Sequence, residues 1–325
     1  MASVDYTHLG RSGLQVSRLC LGTMNFGWKT EEADAHAIMD RALDEGINFF
    51  DTANVYGMDQ GKGRTEEVLG SWFAQGGERR EKTVLATKVY GGMSSWPNDT
   101  FLSARNIVRA CEGSLRRMGT DWIDLYQFHH VDLRTPWDEI WQACETLVAQ
   151  GKVLYVGSSN HAAWQIVEAN AVAARRSFSG LVSEQSHYNL LTRHVELEVL
   201  PAAEHSGVGI LPWSPLAGGL LAGVLEKSDG GRRNDDRAQE RIEKHRPALE
   251  AYEALCRELG SAPADVGLAW LLHQPAVTAP IVGPRTMEQF DGALRALDVR
   301  LDDAALSRLD EIFPGYRPAP MEYAW

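Results

Sequence analysis

Cysteine is scarce in this chain of 325 residues, and its cysteines are scattered. No Cys-x-x-Cys pair occurs, which argues against both a disulfide framework and a zinc site. The spacing indicates reduced thiols in a cytoplasmic protein, and we expect no metal. The four positions are Cys20, Cys111, Cys144 and Cys256.

Long apolar runs are also missing. No apolar segment approaches the roughly 18 residues that a membrane-spanning helix needs. The N-terminal segment MASVDYTHLGRSG has no apolar core of the kind that export signals contain. We therefore expect neither a membrane span nor export.

Positive charge is in deficit, with 32 Lys and Arg against 44 Asp and Glu and a formal net charge of −12. A general nucleic-acid surface requires a basic patch, so this balance argues against nucleic acid as a partner. The length permits two domains, but α/β barrels of this size are often one domain. We predict a single domain over residues 1–325.

Short apolar runs alternate with amphipathic helical patterns along the chain, which predicts a parallel sheet with right-handed crossovers. One helical pattern ends at Gly46 and places five residues on one face: Ala35, Ile38, Met39, Ala42 and Leu43. Repeated units of this kind close naturally into a (β/α)8 TIM barrel. The predicted strands are Leu19–Gly22, Ile47–Asp51, Val84–Lys88, Ile123–His129, Val153–Ser158, Leu181–Gln185, Gly209–Trp213 and Thr278–Gly283.

An open doubly wound sheet is the alternative fold. Its usual dinucleotide-binding form needs G-x-G-x-x-G after an early strand, and the nearest segment, GKGRTE, lacks the third glycine and follows no strand. The barrel is therefore favoured. The segment YTHLGRSGLQVS predicts a β-hairpin, Tyr6–Leu9 with Leu14–Gln15, that closes the barrel bottom. Long loops are expected at the other rim, among them Glu226–Arg241, which is either a flexible surface loop or a lid over a ligand.

Polar and aromatic side chains occur where the predicted strands end. Barrel enzymes carry their working residues at these carboxyl ends. Any one of these residues alone is weak evidence, but together they indicate an active site. They are Asp51, Lys88, His129, Ser159, Asn160, Gln185, Trp213 and Ser214.

Four residues near these ends could act together as a general acid. The ordinary pKa of Tyr is about 10, and a neighbouring Lys88 ammonium would lower the pKa of Tyr56. Asp51 would hold Lys88 in place, and His129 would donate a hydrogen bond to a carbonyl oxygen. Such an acid protonates a developing alkoxide. The hydride must then come from a nicotinamide cofactor, because side chains cannot supply it.

Six segments follow one another along the chain: FFDTANVYG, LATKVYG, LYQFHH, YVGSSN, SEQSHYNLL and PWSPLAGGLL. In order and spacing they resemble the aldo-keto reductase superfamily, and the resemblance runs from about Tyr6 to Leu294. The segments look most like those of the actinobacterial and channel-β-subunit-like branches. The resemblance implies NADPH-dependent reduction of an aldehyde or ketone, with Tyr56 as proton donor, Lys88 and Asp51 as its tuners and His129 as the orienting donor. His130 should face the other way.

The resemblance also implies a set of cofactor contacts. One group would bind the nicotinamide carboxamide: Ser159, Asn160 and Gln185. Trp213 would stack on the ring, with Thr23 and Met24 lining the pocket nearby. A second group would follow the pyrophosphate: Ser214, Pro215, Leu216, Gly218 and Gly219. The segment IVGPRTMEQF would bind the adenosine end and favour NADPH over NADH through Gly283, Arg285 and Gln289.

Two departures from the family pattern concern the cofactor. Val224 stands where related branches often carry Lys, and Arg232 or Arg233 could replace that phosphate contact. Gly292–Ala293 stands where an acid–amide pair often follows the adenine Gln, which makes the strictness of NADPH preference an open question. A substrate pocket is expected around Tyr56 and His129, lined by Trp28, Tyr90, Trp96 and the tail YRPAPMEYAW.

Other functions stay open at this point. A reductase of keto-deoxysugar nucleotides would use the same motifs, and so would a cofactor-binding regulatory subunit with little turnover. An aldolase with Lys88 as Schiff base needs a desolvated neutral Lys, which Asp51 would oppose. The sequence does not choose the natural carbonyl, the product stereochemistry or the oligomeric state.

Overall fold

The computed structural model describes residues 4–226, 236–317 and 321, and in these ranges the chain forms an eight-stranded parallel sheet preceded by a two-stranded antiparallel hairpin. Each predicted strand is present, and no end differs from its predicted position by more than three residues. The strands are β1 (Tyr6–His8), β2 (Gln15–Ser17), β3 (Cys20–Gly22), β4 (Phe49–Asp51), β5 (Val84–Val89), β6 (Ile123–Phe128), β7 (Val153–Ser159), β8 (Leu181–His187), β9 (Gly209–Trp213) and β10 (Ile281–Val282).

Helices follow the strands and cover the outside of the sheet. The predicted first helical pattern is confirmed, with Ala35, Ile38, Met39 and Ala42 buried. The helices are α1 (Glu32–Asp44), α2 (Arg64–Phe73), α3 (Arg79–Lys82), α4 (Ala104–Met118), α5 (Trp137–Ala149), α6 (Ala163–Arg175), α7 (Val199–Ser206), α8 (Asp236–Glu258), α9 (Pro263–Leu272), α10 (Met287–Arg295) and α11 (Asp303–Ile312).

The sheet curves round into a barrel. Its strand order is β10-β3-β4-β5-β6-β7-β8-β9. The barrel closes only if the two strands at the ends of this order, β10 and β9, meet. They do so through the segment before β10, where Val277 bridges Ile210 and the Thr278 N–H donates to the Ile210 carbonyl at 2.9 Å. The TIM-barrel prediction is confirmed, and the open-sheet alternative is wrong.

Alternation along each strand separates an interior core from an outer one. On β6, Leu125 packs inside the barrel, whereas Tyr126 and Phe128 pack outside against the helices. Towards the carboxyl ends of the strands the inward positions change from apolar to polar, and this change marks the candidate site. The interior apolar cluster is Leu9, Val16, Cys20, Phe49, Val84, Ala86, Leu125, Val182, Leu211, Ala279 and Ile281.

The N-terminal hairpin closes the bottom of the barrel, as predicted. Leu9 and Val16 are fully buried in the interior cluster. The Arg11 N–H donates to the Gly207 carbonyl at 2.8 Å, which ties the hairpin turn to the start of β9. Gly10 lies in the left-handed region at φ 56° and is pressed against the same backbone.

Part of the predicted loop Glu226–Arg241 is helical, because α8 begins at Asp236. Residues 227–235, which include the candidate phosphate contacts Arg232 and Arg233, lie outside the described residues, as does most of the tail after Arg317. Among the helices described here, none is long and apolar enough to cross a membrane. The prediction of a single domain stays a prediction.

Gly10 gives a test of the hairpin contact. A Cβ at Gly10 would lie 2.5 Å from the carbonyl oxygens of Gly207 and Val182, whereas a Cβ at Gly13 would meet nothing within 4 Å. We expect Gly10→Ala to lower the free energy of unfolding by about 1–3 kcal/mol. Gly13→Ala, the matched control, should be near neutral in urea unfolding. Equal effects of the two changes would contradict the tight docking of this turn.

Candidate active site

A buried ion pair lies at the centre of the site. Lys88 on β5 is fully buried, and its Nζ donates to Asp51 Oδ2 at 2.5 Å and to the Thr52 carbonyl at 2.9 Å. Asp51 is the last residue of β4, and its carboxylate faces the barrel interior. Burial alone would lower the pKa of Lys88, but Asp51 and Tyr56 raise it, so the ammonium stays charged.

Tyr56 reaches this ion pair from the turn that follows β4. The turn is fixed by the Tyr56 N–H, which donates to the Ala53 carbonyl at 3.1 Å, and by the Gly63 N–H, which donates to the Tyr56 carbonyl at 3.0 Å. Lys88 Nζ lies 3.3 Å from the Tyr56 hydroxyl. Burial raises the pKa of Tyr56, and the opposing effect of Lys88 is smaller. The expected lowering is therefore not the net result, and the phenol holds its proton firmly.

His129 faces Tyr56 edge-on, with 5.9 Å between ring centroids. Burial, with Lys88 and His130, lowers the pKa of His129 to about 3, so its imidazole is neutral near pH 7 and can donate a single N–H. His130 is exposed, and its ring packs on Tyr90, at 5.5 Å between centroids, and on His129, at 6.1 Å. The assignment of His129 to the site, and not His130, stays a prediction.

Two amide side chains complete the surroundings of Asp51. Gln127 Nε2 and Gln185 Nε2 each donate to Asp51 Oδ1 at 2.9 Å, and Gln185 Nε2 also lies 3.3 Å from Gln127 Oε1. We call Asp51, Lys88, Gln127 and Gln185 the Asp51 network. Gln185 was predicted as a site residue, but Gln127 was missed. Its position two residues before His129, on the same strand face, is the signal that could have found it.

The remaining carboxamide-binding candidates connect to this network. The Ser159 hydroxyl donates to the Gln185 carbonyl at 2.8 Å and accepts from Asn160 Nδ2 at 2.8 Å. Asn160 adopts φ 60°, and its Oδ1 accepts from Trp213 Nε1 at 3.1 Å. Through the side chain and the backbone of Gln185, these hydrogen bonds link the ion pair to the edge of the Trp213 ring.

One face of the Trp213 indole stacks on His187, with 4.2 Å between centroids and 12° between planes. No second aromatic ring among the described residues stacks on Trp213, which also packs against the interior apolar cluster. The indole is half-buried at the end of β9. His187 was missed in the sequence, although it follows Gln185 by two residues on the same strand face. A ring so fixed by a stack and an edge hydrogen bond is suited to pack against a flat aromatic group.

The loop after β9 has the backbone expected of a phosphate-binding turn. Ser214, Gly218 and Gly219 all have positive φ, at 52°, 70° and 105°, and a Cβ at Gly219 would meet nothing within 4 Å. Pro215 and Leu216 continue this turn beneath the rim. Arg241, near the start of α8, was not predicted to contact this loop, and its Nη2 donates to the Ala217 carbonyl at 3.1 Å.

The predicted adenosine end lies around the start of α10. Asn25 Nδ2 donates to the Gly283 carbonyl at 2.9 Å, and the Thr30 hydroxyl donates to the Arg285 carbonyl at 3.0 Å. The Arg285 guanidinium is exposed and has no carboxylate partner among the described residues. Gln289 accepts the Arg285 N–H with its Oε1 at 2.9 Å, so its amide helps to cap the helix.

Other predicted contacts differ in placement. The Thr23 hydroxyl donates to the Asp51 backbone carbonyl at 2.9 Å, so this hydroxyl joins the ends of β3 and β4. Met24, the next residue, is half-buried. Val224 packs against the outer core. On α10, Ala293 is buried in that same core and Gly292 is half-buried.

The predicted pocket-lining aromatics are not equivalent. Trp28 is half-buried, with Lys29 Nζ 4.1 Å from its ring centroid. Tyr90 packs on Phe101 at 5.3 Å between centroids. Trp96 is 75% exposed, and its ring makes no aromatic or cationic contact within the described ranges. Trp28 and Tyr90 are therefore held in place on the rim, whereas Trp96 is not.

Together these residues fit a nicotinamide dinucleotide. Gln185 Oε1 accepts no hydrogen bond from the described residues, and no second aromatic ring among them stacks on Trp213. The glycine turn leaves room for a close backbone approach, and Arg285 can pair with a phosphate. No three His, Cys, Asp or Glu side chains in the described part of the chain are placed to hold a metal ion.

A second buried carboxyl lies behind Ser159 and Asn160. Glu184, fully buried on β8, accepts hydrogen bonds from the Ser158 and Ser186 hydroxyls at 2.5 and 3.0 Å and from the His161 N–H at 3.1 Å. It thus holds the turn that carries Asn160. Burial raises the pKa of Glu184 to about 7, against the opposing effect of these donors.

This carboxyl makes stability depend on pH. The pKa of an unfolded Glu is about 4.3, so between that value and about 7 the folded state holds a proton that the unfolded state has released. Stability must then fall as pH rises through this window. We expect the free energy of unfolding of wild type, relative to Glu184→Gln, to fall by about 2 kcal/mol between pH 5 and pH 8 in urea unfolding.

The variant comparison is needed because His161 acts in the opposite direction. Burial lowers the pKa of His161 to about 4, so its contribution to stability rises with pH up to about 6.5. Both proteins contain His161, so only the coupling between its Nδ1 and Glu184 Oε2, which are 3.9 Å apart, is left in the difference. A difference that stays constant from pH 5 to pH 8 would contradict the raised pKa of Glu184.

Comparison with known proteins identifies the family. The model of the Aldo/keto reductase family matches residues 18–313. The "Uncharacterized oxidoreductase YrpG" of Bacillus subtilis (strain 168) is 57% identical, over 99% of this chain and 100% of the relative. The versiconal hemiacetal acetate reductase of Aspergillus parasiticus is 32% identical, over 97% of this chain and 100% of the relative.

A relative with a different role is also similar. The probable voltage-gated potassium channel subunit beta of Oryza sativa subsp. japonica is 35% identical, over 91% of this chain and 92% of the relative. The resemblance to the channel-subunit-like branch is thereby confirmed. On the family match and these relatives, the chain belongs to the aldo/keto reductase family of NAD(P)H-dependent oxidoreductases.

Proposed function

We propose that this protein reduces an aldehyde or ketone to the alcohol, with NADPH as hydride donor. The observation that carries the proposal is the position of Lys88 Nζ, 2.5 Å from Asp51 Oδ2 and 3.3 Å from the Tyr56 hydroxyl. A phenol held by a buried cation at the mouth of a barrel is suited to give a proton to a developing alkoxide.

The residues act on the carbonyl oxygen. NADPH, when bound, supplies the hydride to the carbonyl carbon. Tyr56 donates its proton to the oxygen as negative charge develops there, and Lys88 stabilises the phenolate that remains. Neutral His129 donates a hydrogen bond to the same oxygen and orients it. Asp51 holds Lys88 in its charged form throughout.

The cofactor would be held along the rim. Ser159, Asn160 and Gln185 bind the carboxamide, Trp213 stacks on the ring, and the loop after β9 takes the pyrophosphate. Arg285 pairs with the 2′-phosphate, because its guanidinium is exposed at the start of α10 without a carboxylate partner in the described chain. This pairing is our reason for proposing NADPH over NADH.

Three alternative functions have weaker support. A Schiff-base aldolase needs a neutral Lys88, and the raised pKa of Lys88 opposes this. A regulatory subunit with little turnover keeps support from the channel-subunit relative. Reduction of a keto-deoxysugar nucleotide has no specific feature in its favour.

The proposal is tested by NADPH consumption with an aromatic aldehyde, such as 4-nitrobenzaldehyde. We expect turnover in wild type and a loss of at least about 100-fold in kcat for Tyr56→Phe, because general-acid catalysis contributes roughly 10²–10⁴. NADPH binding, followed by fluorescence, should be little changed in Tyr56→Phe. Undiminished turnover would exclude Tyr56 as the acid. Binding without turnover across a panel of carbonyls would favour the regulatory subunit.

Arg285→Ala tests the cofactor preference. We expect the Kd of NADPH to rise about tenfold, the loss of one charge-assisted contact, with the Kd of NADH within about twofold of wild type. Arg300→Ala is the control, because Arg300 is an exposed arginine whose side chain donates to backbone carbonyls. Equal losses for both cofactors would show that Arg285 does not read the 2′-phosphate.

A further inference from the structure

We propose that Gln127 is a positioning residue: it orients the Asp51 carboxylate and couples the ion pair to Gln185, where the cofactor amide binds. The inference rests on the proposed function and assigns a role to a residue that the acid–base mechanism does not use.

Gln127 is fully buried on β6, and its side chain faces into the barrel mouth. Its Nε2 donates to Asp51 Oδ1 at 2.9 Å, and its Oε1 lies 3.3 Å from Gln185 Nε2. Gln185 Nε2 also reaches Asp51 Oδ1 at 2.9 Å. The three side chains form a closed triangle that spans β4, β6 and β8.

The two carboxylate oxygens of Asp51 have different hydrogen-bond donors. Oδ2 accepts from Lys88, while Oδ1 accepts from the two amides. Without Gln127, Oδ1 would keep only the Gln185 donor, and a carboxylate held by fewer donors reorients more easily, which would move Lys88 relative to Tyr56. The amide of Gln127 has one orientation here, because its oxygen would repel Asp51 if the group were flipped.

The triangle also connects cofactor binding to the ion pair. Gln185 commits its amide donors to Asp51 and Gln127, which leaves its Oε1 for the amide N–H of a bound nicotinamide. A shift of Gln185 on cofactor binding must therefore be felt at Asp51 Oδ1. Gln127 contacts both partners, so it limits how far that shift can go.

Space filling does not account for an amide at this position. Leu125 faces the interior from the same strand and is equally buried, and an apolar side chain suffices there. A buried amide costs free energy unless its hydrogen bonds are made. The polar group at Gln127 is therefore best explained by the two partners that it contacts.

The experiment compares Gln127→Met with a control, Leu125→Met. The control introduces Met two residues earlier, on the same face of the same strand. We expect Gln127→Met to slow single-turnover hydride transfer from preloaded NADPH by about tenfold, the effect of losing one hydrogen bond to a charged group. The melting temperature should stay within a few degrees of wild type. Leu125→Met should keep the wild-type rate, since volume-conserving exchanges are tolerated.

Gln127→Glu adds a second measurement, the pH dependence of the rate, which would not change if Gln127 only filled space. A protonated Glu can donate to Asp51 as the amide does, whereas an ionised one repels it. The charged and titratable groups around this position are Asp51, Lys88, Tyr56, His129 and, beneath them, Cys20. We expect the rate of Gln127→Glu, as a ratio to wild type, to recover as pH falls from 8 to 6, and that of Gln127→Met to stay constant.

Several outcomes would overturn the proposal. These are a wild-type rate in Gln127→Met, parallel losses of rate and melting temperature in both Met variants, and a pH-independent ratio for Gln127→Glu. Failure of the proposed function is separate, because NADPH affinity needs no turnover. Gln127→Met and Gln185→Met, alone and combined, should change the Kd of NADPH non-additively, and additive changes would contradict the coupling.

Discussion

The ion pair between Lys88 and Asp51 is the constraint on which the site depends. Both side chains are almost completely removed from water, and charges so placed are costly unless they are paired and fully hydrogen-bonded. The structure meets this cost with the Thr52 carbonyl and the two glutamine amides. Tyr56 then lies against a cation that has no freedom to move, which is what an acid of fixed geometry requires.

The same constraint explains why the interior of the barrel is layered. Apolar side chains fill the lower part, and the hairpin closes it with Leu9 and Val16. In the described part of the barrel, the charged and amide groups of the Asp51 network face the interior at the carboxyl ends of the strands, where each reaches a partner on another strand. Water is thereby kept from the ion pair on the lower side, while Tyr56 and His129 on the upper side are partly exposed.

Local patterns were enough to predict most of the fold and much of the site. Strand periodicity and turn residues gave the barrel and the hairpin, and residues at strand ends, such as Asp51 and Lys88, could be read from position alone. The contacts that were missed join residues that are distant in the sequence. Gln127 and Asp51 are 76 residues apart in sequence, and nothing local to either indicates the other.

Two further differences between prediction and structure have physical causes that cannot be read from the sequence. The direction of the pKa of Tyr56 depends on the balance between burial and Lys88, and burial is a property of the packed chain. The end of the loop after β9 depends on where α8 begins, and the charged residues from Asp236 to Arg241 suit a loop and a solvent-facing helix equally well.

The Asp51 network has a consequence for how the barrel moves. Its bonds join β4, β5, β6 and β8 across the interior, in addition to the hydrogen bonds between neighbouring strands. Any of these strands that separated from the sheet would have to expose a charged group that had lost its partner. The Asp51 network therefore holds the carboxyl ends of these strands together. Motion at this end of the barrel is left to the loops, where a ligand enters and leaves.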